Sequence, residues 1–335
     1  MRHTDGVYRF SQDPAPSEWN ARVLLLTNAL FSEIAAYYSD RPTHPVNYEN
    51  CCYVTTQLHD AESGEFDNPA LMPLVEKLMK KRDLRALIAN KDDRLRLFVE
   101  TDHYIRDVVW GMLSRRPSSV QYLGWLVDMV RDISVESTDV VTLNHDTVLE
   151  QAFSSNSVSF CDGFGEASNG VRYWEPDLLR EPDRVRLLKL HGSIDWFFFR
   201  SNRKIGIPKD HDPFLTSPRP ELLVGTFNKM LEYTTGIFAD LHCHLHSSLR
   251  QTNFLVCCGY GFGDKGINTK LSEWINGTPE RRLVVIHPNP CELFGCSRGA
   301  IANHWQSWQD QRRLLCVEKW VEHVTWNEVK RALTN

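Results

Sequence analysis

From Ser137 onward the chain alternates short apolar runs with helix-patterned stretches, and this alternation constrains its fold more than any other feature. Asp139–Leu143 (DVVTL) reads as a buried strand, and the TVLEQAF that follows begins a helix. Arg186–Leu190 (RLLKL), Trp196–Phe199 and Glu221–Gly225 (ELLVG) read as further strands, with a long helical segment expected over Asn228–Leu249. NFLVCCGYGFGD is a strand running into a glycine turn, with a helix over Ile267–Ile275, and RRLVVIHPNP is a strand stopped by Pro288. Strands alternating with helices predict an α/β fold built on a doubly wound, Rossmann-like parallel sheet. Such sheets bind ligands outside the carboxyl ends of their strands.

The first 136 residues have a different texture. Ser17 is a good N-cap after Pro14 and Pro16, and Trp19, Val23, Leu26, Leu30, Ile34 and Tyr38 recur at helical spacing. Helical patterns also run through Pro69–Leu87, Leu95–Leu113 and Ser118–Ile133. The expected organisation is a helical portion over 1–136, an α/β nucleotide-binding core over 137–290 and a C-terminal extension over 291–335. That extension carries Trp305, Trp308, Trp320 and Trp326, which suit either a core or an exposed association surface.

Composition narrows the classes of partner. A net charge of −5 supplies no global basic field, so direct nucleic-acid binding is not expected. No apolar stretch approaches the length of a membrane span and no signal-type leader opens the chain, so a cytoplasmic protein without membrane contact is expected. The nine cysteines include no C-x-x-C, and in a reducing compartment they read as small apolar residues. His242 and His246, in LHCHLH, fall one helical turn apart, a spacing that suits zinc. No acidic third ligand stands beside them, and no metal is expected.

The strand ends are polar or glycine-rich. They read Asn144–His145–Asp146, then His191–Gly192–Ser193, then Gly259-x-Gly261-x-Gly263–Asp264, then His287–Pro288–Asn289. Converging on one sheet edge, an amide, a histidine, carboxylates and glycines make a nucleotide site. Taken singly, Asn144 reads equally well as a helix cap, the glycines as a strand-to-helix turn, and His191–Gly192 as a tight turn. Asn144 and His191 are expected to face each other at a cleft surface.

In combination these segments resemble a known family. TLNHD (Thr142–Asp146) resembles the T-x-N-x-D motif of the sirtuin superfamily, and KLHGS (Lys189–Ser193) resembles its H-G motif. GTFNK (Gly225–Lys229) and CGYGFGDKGIN (Cys258–Asn268) resemble the sirtuin-like domains of bacterial antiphage defence more than deacylating sirtuins. The resemblance runs in order from Val46 to Pro290. It implies that NAD+ is the substrate and that its nicotinamide N-glycosidic bond is cleaved to give nicotinamide and ADP-ribose. It makes Asn144 the amide that positions the ribose or the attacking water, and His191 the general base. Thr142, Asp146, Gly192, Gly259, Gly261, Asp264, Asn268 and Asn289 then lie along the dinucleotide. It further implies a homo-oligomer and a separate sensor or ring-shaped translocase ATPase as partner.

Two departures qualify that implication. The family's opening strand and G-A-G-x-S phosphate loop have no counterpart. The nearest stretch, Val23–Ser32 (VLLLTNALFS), lacks the glycines and reads as helix. A start upstream of Met1 and outright loss of the loop both explain this, and the second leaves an inactive nucleotide-binding or scaffold subunit as the alternative. The four-cysteine zinc module of deacylating members is also missing, which favours water over acyl-lysine as acceptor.

Overall fold

The computed structural model describes residues 18–39, 46–65, 68–81, 91–181, 185–209, 219–224 and 233–334. The chain opens with helices α1 (Glu18–Tyr37), α2 (Tyr48–Ser63), α3 (Met72–Lys80), α4 (Lys91–Leu113) and α5 (Gly124–Arg131). Next come β1 (Thr138–Thr142), α6 (Val148–Ser155), β2 (Val171–Tyr173), β3 (Val185–Lys189), β4 (Gly192–Phe199), β5 (Lys204–Pro208) and β6 (Pro220–Leu222). The order closes with α7 (Gly236–Gln251), β7 (Phe254–Cys258), α8 (Lys265–Gly277), β8 (Arg282–Ile286), α9 (Pro290–Cys296), α10 (Ala300–Asp310), β9 (Leu314–Val317) and α11 (Trp326–Thr334). No described helix is long and apolar enough to cross a membrane.

Two compact units share these elements. One comprises residues 1–115, 191–203 and 208–232, the other 116–190, 204–207 and 233–335. In the first, α1 buries Val23, Leu26, Thr27, Leu30 and Ile34, so the VLLLTNALFS stretch is a core helix rather than a strand. A reciprocal cap between Asn47 and Asn50 starts α2, and left-handed Gly64 (φ +84°) ends it, an element the sequence reading did not foresee. These helices share one apolar core with Ile194 and Phe197 of β4 and Leu222 of β6. The α4 helix is tied to β6, because Arg106 Nη1 donates to the Leu222 carbonyl at 2.9 Å.

The second unit holds the parallel strands. β1 pairs with β3 from Thr138↔Val185 to Thr142↔Lys189, while β7, β8 and β9 form a separate parallel sheet in that order. Both sheets feed one core, in which Val140, Val185 and Leu187 meet Val284, Ile286 and helix residues such as Phe153, Trp125 and Val329. The strands expected at Asp139–Leu143, Arg186–Leu190, NFLVC and RRLVVI are present, and short β2, β5 and β9 are additional. Part of the helix expected over Asn228–Leu249, the end of that over Pro69–Leu87 and all of GTFNK lie outside the described residues. Of the four C-terminal tryptophans, Trp305, Trp308 and Trp326 are core, whereas Trp320 is 62% exposed.

Candidate nucleotide site

The turn leaving β1 is braced on three sides. The Thr142 hydroxyl accepts the Asn144 amide at 3.1 Å, and the Asp146 carboxylate accepts the Val148 amide at 3.0 Å as the chain enters α6. From the neighbouring strand, the ammonium of Lys189 donates to the Asp146 carbonyl and to Glu150 Oε1 at 2.8 Å. Asn144 is exposed while His145 beside it is buried, so the amide is the group of this turn displayed to solvent.

After β7 the chain makes a loop that is open outside and anchored inside. Gly259 adopts φ +66°, and a Cβ placed on Gly259, Gly261 or Gly263 would meet nothing within 4 Å. Between them Phe262, itself at φ +49°, is fully buried against Tyr260 and Trp305, with ring centroids 4.8 and 5.7 Å away. Asn268 is buried beneath this loop. Its amide donates to the Phe262 carbonyl at 2.8 Å and the Arg298 carbonyl at 3.0 Å, and its oxygen accepts the Tyr260 hydroxyl at 2.8 Å. Burial there pushes the Tyr260 phenol well above its ordinary range, so it stays a neutral donor. Asp264 caps α8 by accepting the Ile267 amide at 3.1 Å and accepts the Tyr233 hydroxyl at 2.8 Å through its other oxygen. The backbone of the glycine loop is thus the part presented outward, while Asp264 and Asn268 hold it in shape.

At the end of β8, exposed Asn289 caps α9 by accepting the Glu292 amide at 3.2 Å, and its own amide donates to His287 Nδ1 at 3.0 Å. His191 and Gly192 belong to the first unit. His191 is 3% exposed, not on a cleft surface as expected, and its carbonyl accepts the Leu223 amide at 2.8 Å. Gly192 has a local cause of its own. It sits at φ +82° opposite Leu222, and a Cβ there would lie 2.1 Å from the Glu221 carbonyl oxygen, so the β4–β6 approach demands glycine.

Several contributors escaped the sequence reading. Lys189 left one signal, a charge in parity with the buried apolar Val185 and Leu187 of its strand. Tyr233 left none. His242 is buried with its ring centroid 3.9 Å from that of Tyr233, while His246 is exposed, so the two histidines of LHCHLH sit in different surroundings. Among the described residues no three His, Cys, Asp or Glu side chains cluster to hold a metal ion. Burial, with the neighbouring Cys258 adding to it, pushes the Cys257 thiol up to about 12, and burial pushes Cys258 to about 11, so neither is a thiolate nucleophile at neutral pH.

A family model described as a SIR2-like domain matches residues 138–309, just over half of the 335-residue chain. The match takes in the β1 turn, the glycine loop and Asn289. No curated protein matches the chain.

Proposed function

The chain belongs to the SIR2-like domain family, and on that premise we propose that it is an NAD+ glycohydrolase. The observation that carries this reading is the glycine loop after β7. Three exposed glycines face open space at the start of a capped helix, and an anchored phenylalanine and a buried asparagine fix them from within. Backbone N–H groups that a side chain would otherwise screen are what a pyrophosphate needs. In this reading Gly259, Gly261 and the α8 N-terminus receive phosphate, Asp264 and Asn268 maintain the loop, and Thr142 and Asp146 maintain the β1 turn. Asn289 and Gly192 serve the neighbouring backbone.

The chemistry is hydrolysis. The bond between C1′ of the ribose and the nicotinamide nitrogen breaks, and the electron pair leaves with nicotinamide. A water oxygen forms the new bond to C1′ and its proton passes to a base. Nicotinamide departs from a cationic state, so orientation and a water-activating group matter more than acid assistance. Asn144 orients the ribose or water. His191 takes the proton, a role that rests on the resemblance of KLHGS alone. A role in defence by NAD+ depletion, self-association and a ring-shaped translocase ATPase partner belong to the same proposal.

A second reading is a nucleotide-binding subunit without turnover. It is favoured by α1, a core helix at the stretch nearest in position to the family's opening G-A-G-x-S loop. Incubating the purified chain with NAD+, with and without an acylated peptide, separates the readings. Hydrolysis gives nicotinamide and ADP-ribose whether or not peptide is present. Deacylation needs the peptide and gives O-acyl-ADP-ribose, and a scaffold binds NAD+ without releasing nicotinamide.

A further inference from the structure

We propose that Lys189 is a positioning residue that holds the Asn144 turn in its working shape through the Asp146 carbonyl. The inference rests on the proposed site at that turn. Lys189 is 2% exposed, and an ammonium so buried is tolerated only when its hydrogens find partners. It closes β3 as the register partner of Thr142, the last residue of β1. Its parity with Val185 and Leu187 turns it toward the core that also contains Phe153 of α6. From there it donates to the main-chain oxygen of Asp146 and to Glu150 Oε1 in the first turn of α6.

The two partners separate two roles. The Glu150 carboxylate neutralises the lysine, while the Asp146 carbonyl is a point on the turn itself, two residues beyond Asn144. A lysine present only for charge balance needs the first contact. A lysine that shapes the site needs the second, because among the described residues the hold on Asn144 from the β1 side is its backbone amide on Thr142 Oγ1. Pulling the Asp146 carbonyl inward sets the path of residues 143–147 and so the direction of the exposed amide.

The test uses the full chain and three variants, Lys189→Met, Glu150→Gln and the double substitution, which removes both charges and leaves no carboxylate behind. In ligand-free protein, amide hydrogen exchange over residues 143–148 is expected to accelerate about tenfold or more in both variants lacking Lys189 and to stay unchanged in Glu150→Gln. NAD+ turnover is expected to follow the same pattern, with kcat down on the order of 10²-fold and KM little moved. Recovery of exchange protection and turnover in the double variant would make Lys189 a charge partner only and overturn the proposal. Should Lys189→Met fail to fold, the double variant carries the comparison. Should the unsubstituted chain neither bind nor cleave NAD+, the proposed function fails, and the exchange pattern by itself decides the role of Lys189.

Discussion

Glycines at the strand ends look alike in the sequence and differ sharply in what they meet. Gly192 has a backbone oxygen where its Cβ would go, whereas Gly259 and Gly261 have open space. Gly192→Ala is therefore expected to destabilise the protein by about 3 kcal/mol, from the left-handed backbone and the clash with the Glu221 carbonyl together. Gly261→Ala, which has neither, should leave the melting temperature nearly unchanged and act, if anywhere, on NAD+ affinity. Thermal melts of the two variants, with NAD+ titrations alongside, check this contrast. The same distinction shows why the site residues were only partly legible. TLNHD and GYGFGD carried recognisable spacing, and the turn and loop that they form directly follow β1 and β7. That Asn268 and Asp264 face inward follows from hydrogen bonds to Phe262, Arg298 and Tyr233, partners 6, 30 and 31 residues away that no local pattern announces. His191 is a similar case, since its burial is not announced by the turn-like H-G-S that it opens.

Strands and helices were most readable where they bury a regular face. β3 and β8 are nearly all buried, and both were evident as apolar runs. The α2 helix mixes cysteines, threonines and a buried Gln57–Asp60 contact, which blurs its apolar stripe, and it went unseen. β1 and β7 bury less than β3 and β8, with Val141 39% and Phe254 52% exposed, and each has a partner on one edge only among the described strands. β8, bonded on both sides, is expected to show the slowest amide exchange of the unit, and β1 and β7 faster exchange, in a mass-spectrometric time course. The β1–β3 pair also carries a buried charge group. Burial raises the Asp139 carboxyl, but hydrogen bonds from His244, Ser248 and Arg186 outweigh it and hold the pKa down at about 2, against an ordinary value of 3.8. A depressed folded-state pKa favours the ionised form, so this contribution is complete above about pH 5 and is lost as pH falls from about 4 to 2. The expected loss is about 2 kcal/mol, and Asp139→Asn should flatten the acid limb of urea stability measured across that window.

At the scale of the molecule, the α/β texture after Ser137 was legible from alternation alone, and the helical texture before it from the apolar spacing of α1 and α4. The partition into units was not. Residues 191–203 and 219–224 lie between the parallel pair β1–β3 and the parallel strands β7–β9 in sequence, yet group with the N-terminal helices, because Ile194, Phe197, Leu222 and Val224 complete the core of α1–α4. Nor did the sequence show that the parallel strands fall into two sheets, since strand pairing is a long-range choice that apolar runs do not encode. The central claim, that the β1 turn and the glycine loop serve NAD+ cleavage, is tested most directly by nicotinamide release from NAD+ by the full chain, Asn144→Ala and Gly261→Val in parallel. Both substituted positions are exposed, so folding should be preserved and circular dichroism melts should coincide. The expected result is nicotinamide and ADP-ribose in equal amounts from the unsubstituted chain, with release lowered about 10²-fold or more in each variant. Equal release by all three proteins, or neither release nor NAD+ binding by the unsubstituted chain, would contradict it.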